Sequence, residues 1–226
     1  MKDAIVFSLG GSLIVPDQID TQFLKDFHDL IHRHLDNFKQ IIIVAGGGKT
    51  ARNYQHAAST ITSLDPEDID WIGIHASHLN AHLVKTILKD HVDPHLIISE
   101  DRLTKRDAKI LIAGGFTPGN STDLVAVKCA QAYNIKTVIN LSNIDFVYDL
   151  DPRQFKNAKP LKKINWKDFQ KLVGDKWVPG ANVPFDPIAT KLAKELLLNV
   201  VIMNGNNLAN LEAYLGGKKF QGTVIS

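Results

Sequence analysis

The sequence predicts an α/β protein, a three-layer α/β/α sandwich around a mainly parallel sheet. Three observations carry that expectation. Short continuous apolar runs alternate along the chain with stretches of helical periodicity, the pattern of strands buried on both faces and joined by covering helices. Three of those runs lead into glycines, at Gly10-Gly11, Gly46-Gly47-Gly48 and Gly114-Gly115. A helix start is marked by an acid followed by proline at Asp186-Pro187, where the acid caps the first turn and proline fits its dihedral angles, and Asp65-Pro66-Glu67-Asp68 is a turn or helix start.

Taken in order, Ala4 to Leu9 reads as a buried strand, and Phe23, Phe27, Leu30, Ile31 and Leu35 share one helical face behind a cap at Asp20 or Thr21. Ile41 to Val44 is a second strand, followed by a helix from Lys49 to about Ile61. A long helix from about Ile69 to Lys89 carries Ile72, Ala76, Leu79, Leu83 and Ile87 on one stripe. His95 to Ser99 reads as a third strand, Ile110 to Ala113 as a fourth and Thr137 to Leu141 as a fifth, with a helix from Leu124 to Tyr133 between the last two. Ser142 to Ile164 is an irregular excursion or short hairpin, and Asn165 caps a short helix from Trp166. The helix after Asp186-Pro187 places Ile188, Leu192 and Leu196 on one face; Val200 to Met203 is a strand, Leu208 to Leu215 a helix and Thr223 to Ile225 an edge strand.

Composition bounds the function. The chain has 226 residues, 44% of them hydrophobic and 22% charged, enough for one large domain with a real core. The net charge is +2 with no Lys/Arg block, which argues against a nucleic-acid binder. One cysteine, Cys129, allows no disulfide framework and points to a reducing, cytoplasmic setting. No apolar run approaches a membrane span or a signal-peptide core.

Glycine turns at strand ends have a chemical meaning. Where such a turn feeds a helix, free backbone N–H groups and the positive end of the helix dipole converge, and glycine lets an anion approach closely. Around the third turn, hydroxyls at Thr117, Ser121 and Thr122 add donors; read alone, this is equally an ordinary strand–helix turn with a Thr/Asp cap. If the strands are parallel, three such turns share one edge and suit a polyphosphate, or two phosphorylated ligands facing each other. Gly46-Gly47-Gly48-Lys49-Thr50 is not a complete Walker A loop, since Ile43 stands where that loop requires glycine. Nor does a dinucleotide-binding unit fit, because no strand follows soon after Thr60.

In sequence order, Ser8-Leu9-Gly10-Gly11-Ser12, Gly46-Gly47-Gly48-Lys49-x-Ala51-Arg52, Asp70-x-x-Gly73, Pro118-Gly119-x-x-Thr122-Asp123, Asn143-x-Asp145-x-Val147-Tyr148-x-x-Asp151-Pro152 and Asp186-Pro187-x-Ala189-x-Lys191 together resemble the amino acid kinase superfamily, most closely its archaeal-type uridylate (UMP) kinases. The match runs from about Phe7 to the C-terminus. It implies the amino acid kinase fold over residues 1–226, with about 1–135 binding the acceptor and about 136–226 binding ATP. It also implies transfer of the ATP γ-phosphoryl group to UMP, with Mg²⁺, in a homo-oligomer, a hexamer by resemblance, with the long helix near an interface.

The resemblance implies residue roles as well. Gly10, Gly11 and Ser12 would hold the transferring group. Gly47, Asp70 and the loop Phe116, Thr117, Pro118, Gly119, Asn120, Ser121 and Thr122 would hold UMP. Gly48 and Arg52 would lie by the ATP phosphates, and Ser8, Ser142, Asn143, Tyr148 and Asp151 would line the ATP site. Asp123 would orient the catalytic cations and Lys191 would neutralise charge on the transferred group, making Lys191, Asp123, Gly11 and Ser12 the catalytic set. Each has a plainer reading. Lys191 can pair with Glu195 one turn on, Asp123 can cap a helix, Arg52 can be solvated, Tyr148 can pack in the excursion and Asp70 can begin the long helix. His75, His78 and His82 lie on one flank of that helix, where an interface or solvated face is a plainer reading than a metal site.

The chain departs from the family pattern at three places. Ser8 stands where many members carry lysine and archaeal-type members often carry aspartate, Phe146 follows Asp145 where glycine is usual, and Gly180-Ala181-Asn182-Val183-Pro184-Phe185 replaces a loop of smaller residues. Two further functions therefore stand beside the UMP kinase reading: a kinase for another small acid or phosphate, and a nucleotide- or oxyanion-binding relative without turnover.

Overall fold

The structure, a computed structural model, describes residues 3–175 and 183–226; residues 180–182 of the loop singled out above lie outside them. In chain order the elements are β1 (Ile5–Leu9), α1 (Gly11–Ile14), α2 (Thr21–His34), β2 (Ile41–Ala45), α3 (Gly48–Ile61), α4 (Pro66–Ile87), β3 (Ile110–Ala113), α5 (Thr122–Ala132), β4 (Thr137–Ser142), β5 (Val147–Tyr148), β6 (Pro160–Leu161), β7 (Lys163–Ile164), α6 (Trp166–Val173), α7 (Pro187–Glu195), β8 (Asn199–Asn204), α8 (Leu208–Leu215) and β9 (Thr223–Ile225).

Seven strands form one sheet in the order β3-β2-β1-β4-β8-β9-β7. The first five run parallel, β9 is antiparallel to β8, and β7 is parallel to β9. Every residue of β1, β2 and β3 is buried, as expected of strands covered on both faces. Alternation along β1 divides the core in two. Phe7 and Leu9 face α2, α4 and α8 through Phe27, Leu30, Ile31, Val84 and Leu211. Val6 faces α5, α6 and α7 through Val125, Cys129, Phe169 and Ala189. Buried at the centre of that second layer, the Cys129 thiol is pushed up to about 12 by loss of hydration, so it is inert at neutral pH. The excursion after β4 is a short antiparallel hairpin of β5 and β6.

The structure corrects several sequence expectations. His95 to Ser99 is not a strand; one isolated parallel bridge, Ile97 to Ala113, joins it to β3, and another, Val92 to Ile110, lies just before it. Pro94 supplies no N–H, and the Asp93 carboxylate turns inward to the His95 N–H and to Arg106. Thr223–Ile225 is an interior strand between β8 and β7. The buried residues of α4 are Ile74, Ala76, Ser77, Asn80, Ala81 and Val84, whereas Leu79 is 64% exposed. A stripe chosen by hydrophobicity was mis-phased because the core-facing side of α4 carries polar anchors. Likewise α7 buries Pro187, Ala189, Thr190 and Ala193 and leaves Ile188 exposed. The cap of α5 is Ser121, whose Oγ accepts the Leu124 N–H at 3.1 Å, not Thr122 or Asp123.

The turns after β1 and β2 interlock at backbone distance. A Cβ at Gly11 would overlap the Gly48 nitrogen, and one at Gly46 would stand 2.6 Å from the Gly11 nitrogen. Gly48 also has φ +60°, where L side chains are strained. Gly48→Ala is predicted to destabilise the fold by about 2 kcal/mol or more, from left-handed strain plus overlap. Urea unfolding checks this; a loss near zero would mean that the two turns are not in tight contact.

Candidate active site

Because β1 leads to β2 on one side while β4 pairs with it on the other, a crevice opens at the carboxyl ends of β1 and β4, where open α/β sheets bind ligands. The turns after β1, β2, β3 and β4 all reach this edge. Gly10 N–H is bound to Leu141 O at 3.1 Å and Gly46 N–H to Leu9 O at 3.0 Å, so these two hold the turns together. The first-turn N–H groups of Gly11 and Ser12 in α1 and of Gly48 in α3 have no acceptor within their helices. Lys49 N–H is already taken by Val15 O at 2.9 Å.

Helix α4 builds one wall. Asn80 Nδ2 donates to Gly46 O at 2.7 Å and to Gly47 O at 3.1 Å. Ser77 Oγ accepts the Gly115 N–H at 2.7 Å, and His78 Nε2 bonds Gly115 O at 2.7 Å. Burial is the main cause of the lowered pKa of His78, so its imidazole is neutral at pH 7 and donates to that carbonyl through Nε2. His78 is thus a loop anchor, in place of the interface or solvated role expected of the three histidines. Asp70 Oδ2 accepts the Gly119 N–H at 2.7 Å. The result is a cleft of about 170 Å³ lined by Gly47, Gln55, Asp70, Gly73, Ile74, Ser77, Gly115, Asn120, Ser121 and Thr122. Asn120 is fixed from both ends, its Nδ2 donating to Thr117 Oγ1 at 2.8 Å and its Oδ1 accepting from Lys128 at 2.7 Å; Lys128 also pairs with Glu100. Larger depressions of about 440 and 520 Å³ lie elsewhere, between α2 and α8 and beside Ile5, Phe38 and Tyr214, but neither is lined by a glycine turn.

Asp123, in the first turn of α5, is half-buried beside the crevice. Its Oδ1 accepts from Ser8 Oγ at 3.1 Å and from Asn140 Nδ2 at 2.9 Å, and its Oδ2 accepts the Asp186 N–H at 3.2 Å. Burial, opposed by the Asp186 N–H and the Ser8 hydroxyl and reinforced by the nearby Asp186 charge, pushes the carboxyl from 3.8 up to about 7. Asp186 itself caps α7, Oδ1 accepting from Ile188 and Ala189 N–H, while its Oδ2 is buried with no partner. Lys191 projects from the second turn of α7 and is exposed. It forms no ion pair among the described residues, with Glu195 or otherwise. Arg52, exposed on the first turns of α3, is likewise unpaired among the described residues.

On the far side of the crevice, Ser142 ends β4 with its Oγ accepting the Ile144 N–H at 3.3 Å. Asn143 is exposed, and Phe146 and Tyr148 are half-buried at the hairpin. Asp151 is clasped by Arg153 through Nε at 3.0 Å and Nη2 at 2.8 Å, which holds its carboxyl below the usual range.

The expected residues are therefore not all at the surface of the crevice. Gly47, Asp70, Asn120, Ser121 and Thr122 line the cleft. The Phe116 ring is buried in the core, and Thr117, Pro118 and Gly119 are outside the cleft lining. Ser8 is 2% exposed and meets Asp123 rather than open space. Sequence reading missed Asn140, Ser77, Asn80 and Gln55. A signal existed for most of them: Asp70, Gly73, Ser77 and Asn80 recur at helical spacing, and Asn140 interrupts an apolar strand.

Comparison with known proteins agrees with this architecture. A family model described as the amino acid kinase family matches residues 3–204. A uridylate kinase of Thermoplasma volcanium is 33% identical over 221 residues, covering 96% of this chain and 95% of the relative. One from Methanospirillum hungatei is 33% identical over 225 residues, covering 98% and 94%. The crystal structure of a uridylate kinase from Archaeoglobus fulgidus superposes with a TM-score of 0.84 at 26% identity, covering 98% of this chain and 99% of that one.

The Asp123 environment gives a stability prediction. An acid whose folded pKa is raised contributes most to stability below its unfolded value, and that contribution is lost as pH rises through the folded one, here between 3.8 and about 7. Asp123→Asn is therefore expected to gain on the parent in Tm as pH rises from about 5 to about 8. A difference that stays flat across that range would show an ordinary carboxyl.

Proposed function

The chain belongs to the amino acid kinase family, and on that premise we propose that it is an ATP-dependent UMP kinase, converting UMP and ATP to UDP and ADP. The observation that carries this reading is nearly full-length identity of 33% to a uridylate kinase, supported by a cleft that Gly47 and Gly115 of the glycine turns help to line. In this proposal, residues 1–135 hold the acceptor and 136–226 hold ATP. UMP occupies the cleft at Gly47, Asp70 and Asn120 to Thr122, with Asp70 Oδ1 left to accept from a sugar hydroxyl. ATP lies across Gly10, Gly11, Ser12, Gly48 and Arg52, with its nucleoside toward Ser142, Asn143, Tyr148 and Asp151.

A phosphate oxygen of UMP attacks the γ-phosphorus in line, and the bond to the ADP oxygen breaks with its electron pair left on ADP. Such transfer is mainly positioning and charge neutralisation. The N–H groups of Gly11 and Ser12 and the ammonium of Lys191 meet charge on the transferred group, and Asp123 orients the cation. Mg²⁺ arrives with the ATP phosphates as part of the co-substrate; among the described residues no group of three His, Cys, Asp or Glu is placed to hold a metal. Among those residues, too, no helix is long and apolar enough to cross a membrane. A cytoplasmic location completes the reading.

Self-association is proposed through the outer surface of α3 and α4, where Tyr54, Ile61, Trp71 and Leu79 are 68%, 87%, 38% and 64% exposed. Leu79→Asp is expected to give a smaller species in size-exclusion chromatography with light scattering; an unchanged mass would rule this surface out.

An ADP-release assay with ATP, Mg²⁺ and a panel of acceptors tests the activity. Turnover is expected with UMP and is expected to fall on the order of 10²–10³-fold in Lys191→Ala, the scale of losing one preorganised charge-stabilising group. Turnover confined to another acceptor would keep the mechanism and replace the substrate. ATP binding without turnover would favour the binding-protein reading, which the uncharged Ser8 supports.

A further inference from the structure

Ser8 and Asn140 stand on adjacent parallel strands, in register with one another. Side chains alternate along β1, so Ser8 shares the face of Val6, against α5. Flanking positions on that face, Val6, Val138, Val200 and Ile202, are aliphatic and fully buried. Ser8 and Asn140, 2% and 5% exposed, are polar interruptions of this apolar layer. Both aim at the same atom, Asp123 Oδ1. Oδ2 receives only the longer bond from the Asp186 N–H, at 3.2 Å. The carboxylate is therefore held asymmetrically. It cannot rotate without breaking hydrogen bonds from two buried donors, and one oxygen keeps acceptor capacity.

We propose that Ser8 and Asn140 are positioning residues for phosphoryl transfer, which lock Oδ1 of Asp123 and leave Oδ2 as the oxygen through which this carboxylate acts. The inference rests on the kinase reading and extends it to two buried residues that act through Asp123. It also gives the uncharged Ser8 a task that requires a hydroxyl and no charge. Donors to a carboxylate favour its ionised form, so the pair sets the charge state as well as the direction of Asp123. The groups facing Asp123 are few: β1 brings Ser8, β4 brings Asn140, and α7 brings the Asp186 carboxylate, which opposes ionisation.

The test uses an isosteric pair. Ser8→Thr and Ser8→Val impose the same extra bulk and differ only in the hydroxyl. Ser8→Val is expected to fall about tenfold or more below Ser8→Thr in kcat, a smaller loss than the roughly 10²–10³-fold of a donor that meets the transition state directly. KM for ATP and UMP is expected to agree within about twofold, and the acid limb of kcat to move up by roughly one pH unit. Asn140→Leu, of similar size to the parent, is expected to behave as Ser8→Val does and serves should either Ser8 variant fail to fold. A purely structural role would lower Tm and leave the pH profile in place. Equal kcat and equal profiles in Ser8→Thr and Ser8→Val would overturn the inference. A second readout needs no turnover: the ¹³C carboxyl resonance of Asp123, assigned by its loss in Asp123→Asn, should titrate at higher pH in Ser8→Val than in Ser8→Thr. An inactive chain with that NMR difference would sink the kinase reading alone, whereas an active chain without it would sink this inference alone.

Discussion

The Asp123 carboxylate is the tie on which the site depends. One half-buried group receives hydrogen bonds from β1, from β4 and from the N-terminus of α7, the elements that meet at the point where the sheet changes direction. Burying a carboxylate is costly unless hydrogen bonds replace its lost hydration. Three donors supply that replacement, yet not completely, since the carboxyl still stands at about 7. The balance makes Asp123 a structural tie whose charge state is set by its surroundings.

The neighbouring constraint is steric. The turns after β1 and β2 approach so closely that side chains are excluded at Gly11, Gly46 and Gly48, and the space is left to backbone N–H groups. Such turns would be loose if left to themselves, because glycine adds conformational entropy to the unfolded chain. Helix α4 offsets this by holding Gly46, Gly47, Gly115 and Gly119 through Asn80, Ser77, His78 and Asp70. A rigid helix thereby positions the irregular loops that border the cleft.

The same division appears in the cores. Among the described residues, the buried polar side chains are Ser8, Ser77, Asn80, Asn140, Asp186, Thr190 and Thr223. The first five of them hold Asp123 or the glycine turns, or cap the helix beside Asp123. Polar groups entered the interior almost only where the site required them, while the rest of the sheet is packed with Val, Ile, Leu and Phe. Stability and function therefore draw on separate residues within the same strands.

Local signals were sufficient for much of this protein. Continuous apolar runs, glycines at their ends, and the caps at Asp20, Asn165 and Asp186 depend on neighbours within one helical turn or along one strand. They marked the parallel sheet, its ligand edge and the family pattern along the chain. The segment from His95 to Ser99 failed because its pairing depends on what Pro94 and Asp93 do beside β3, and α4 was mis-phased because polarity there serves loops more than 30 residues away. Phe116 sits within the loop pattern but points into the core. By itself the sequence determined the class of fold and the chemistry of its glycine edge, since both are written in periodicity and local backbone freedom. Tertiary structure alone decided that Ser8, Asn140 and Asp186 converge on Asp123. That meeting joins residues 8, 123, 140 and 186, and no short-range rule specifies which buried polar side chains share a partner.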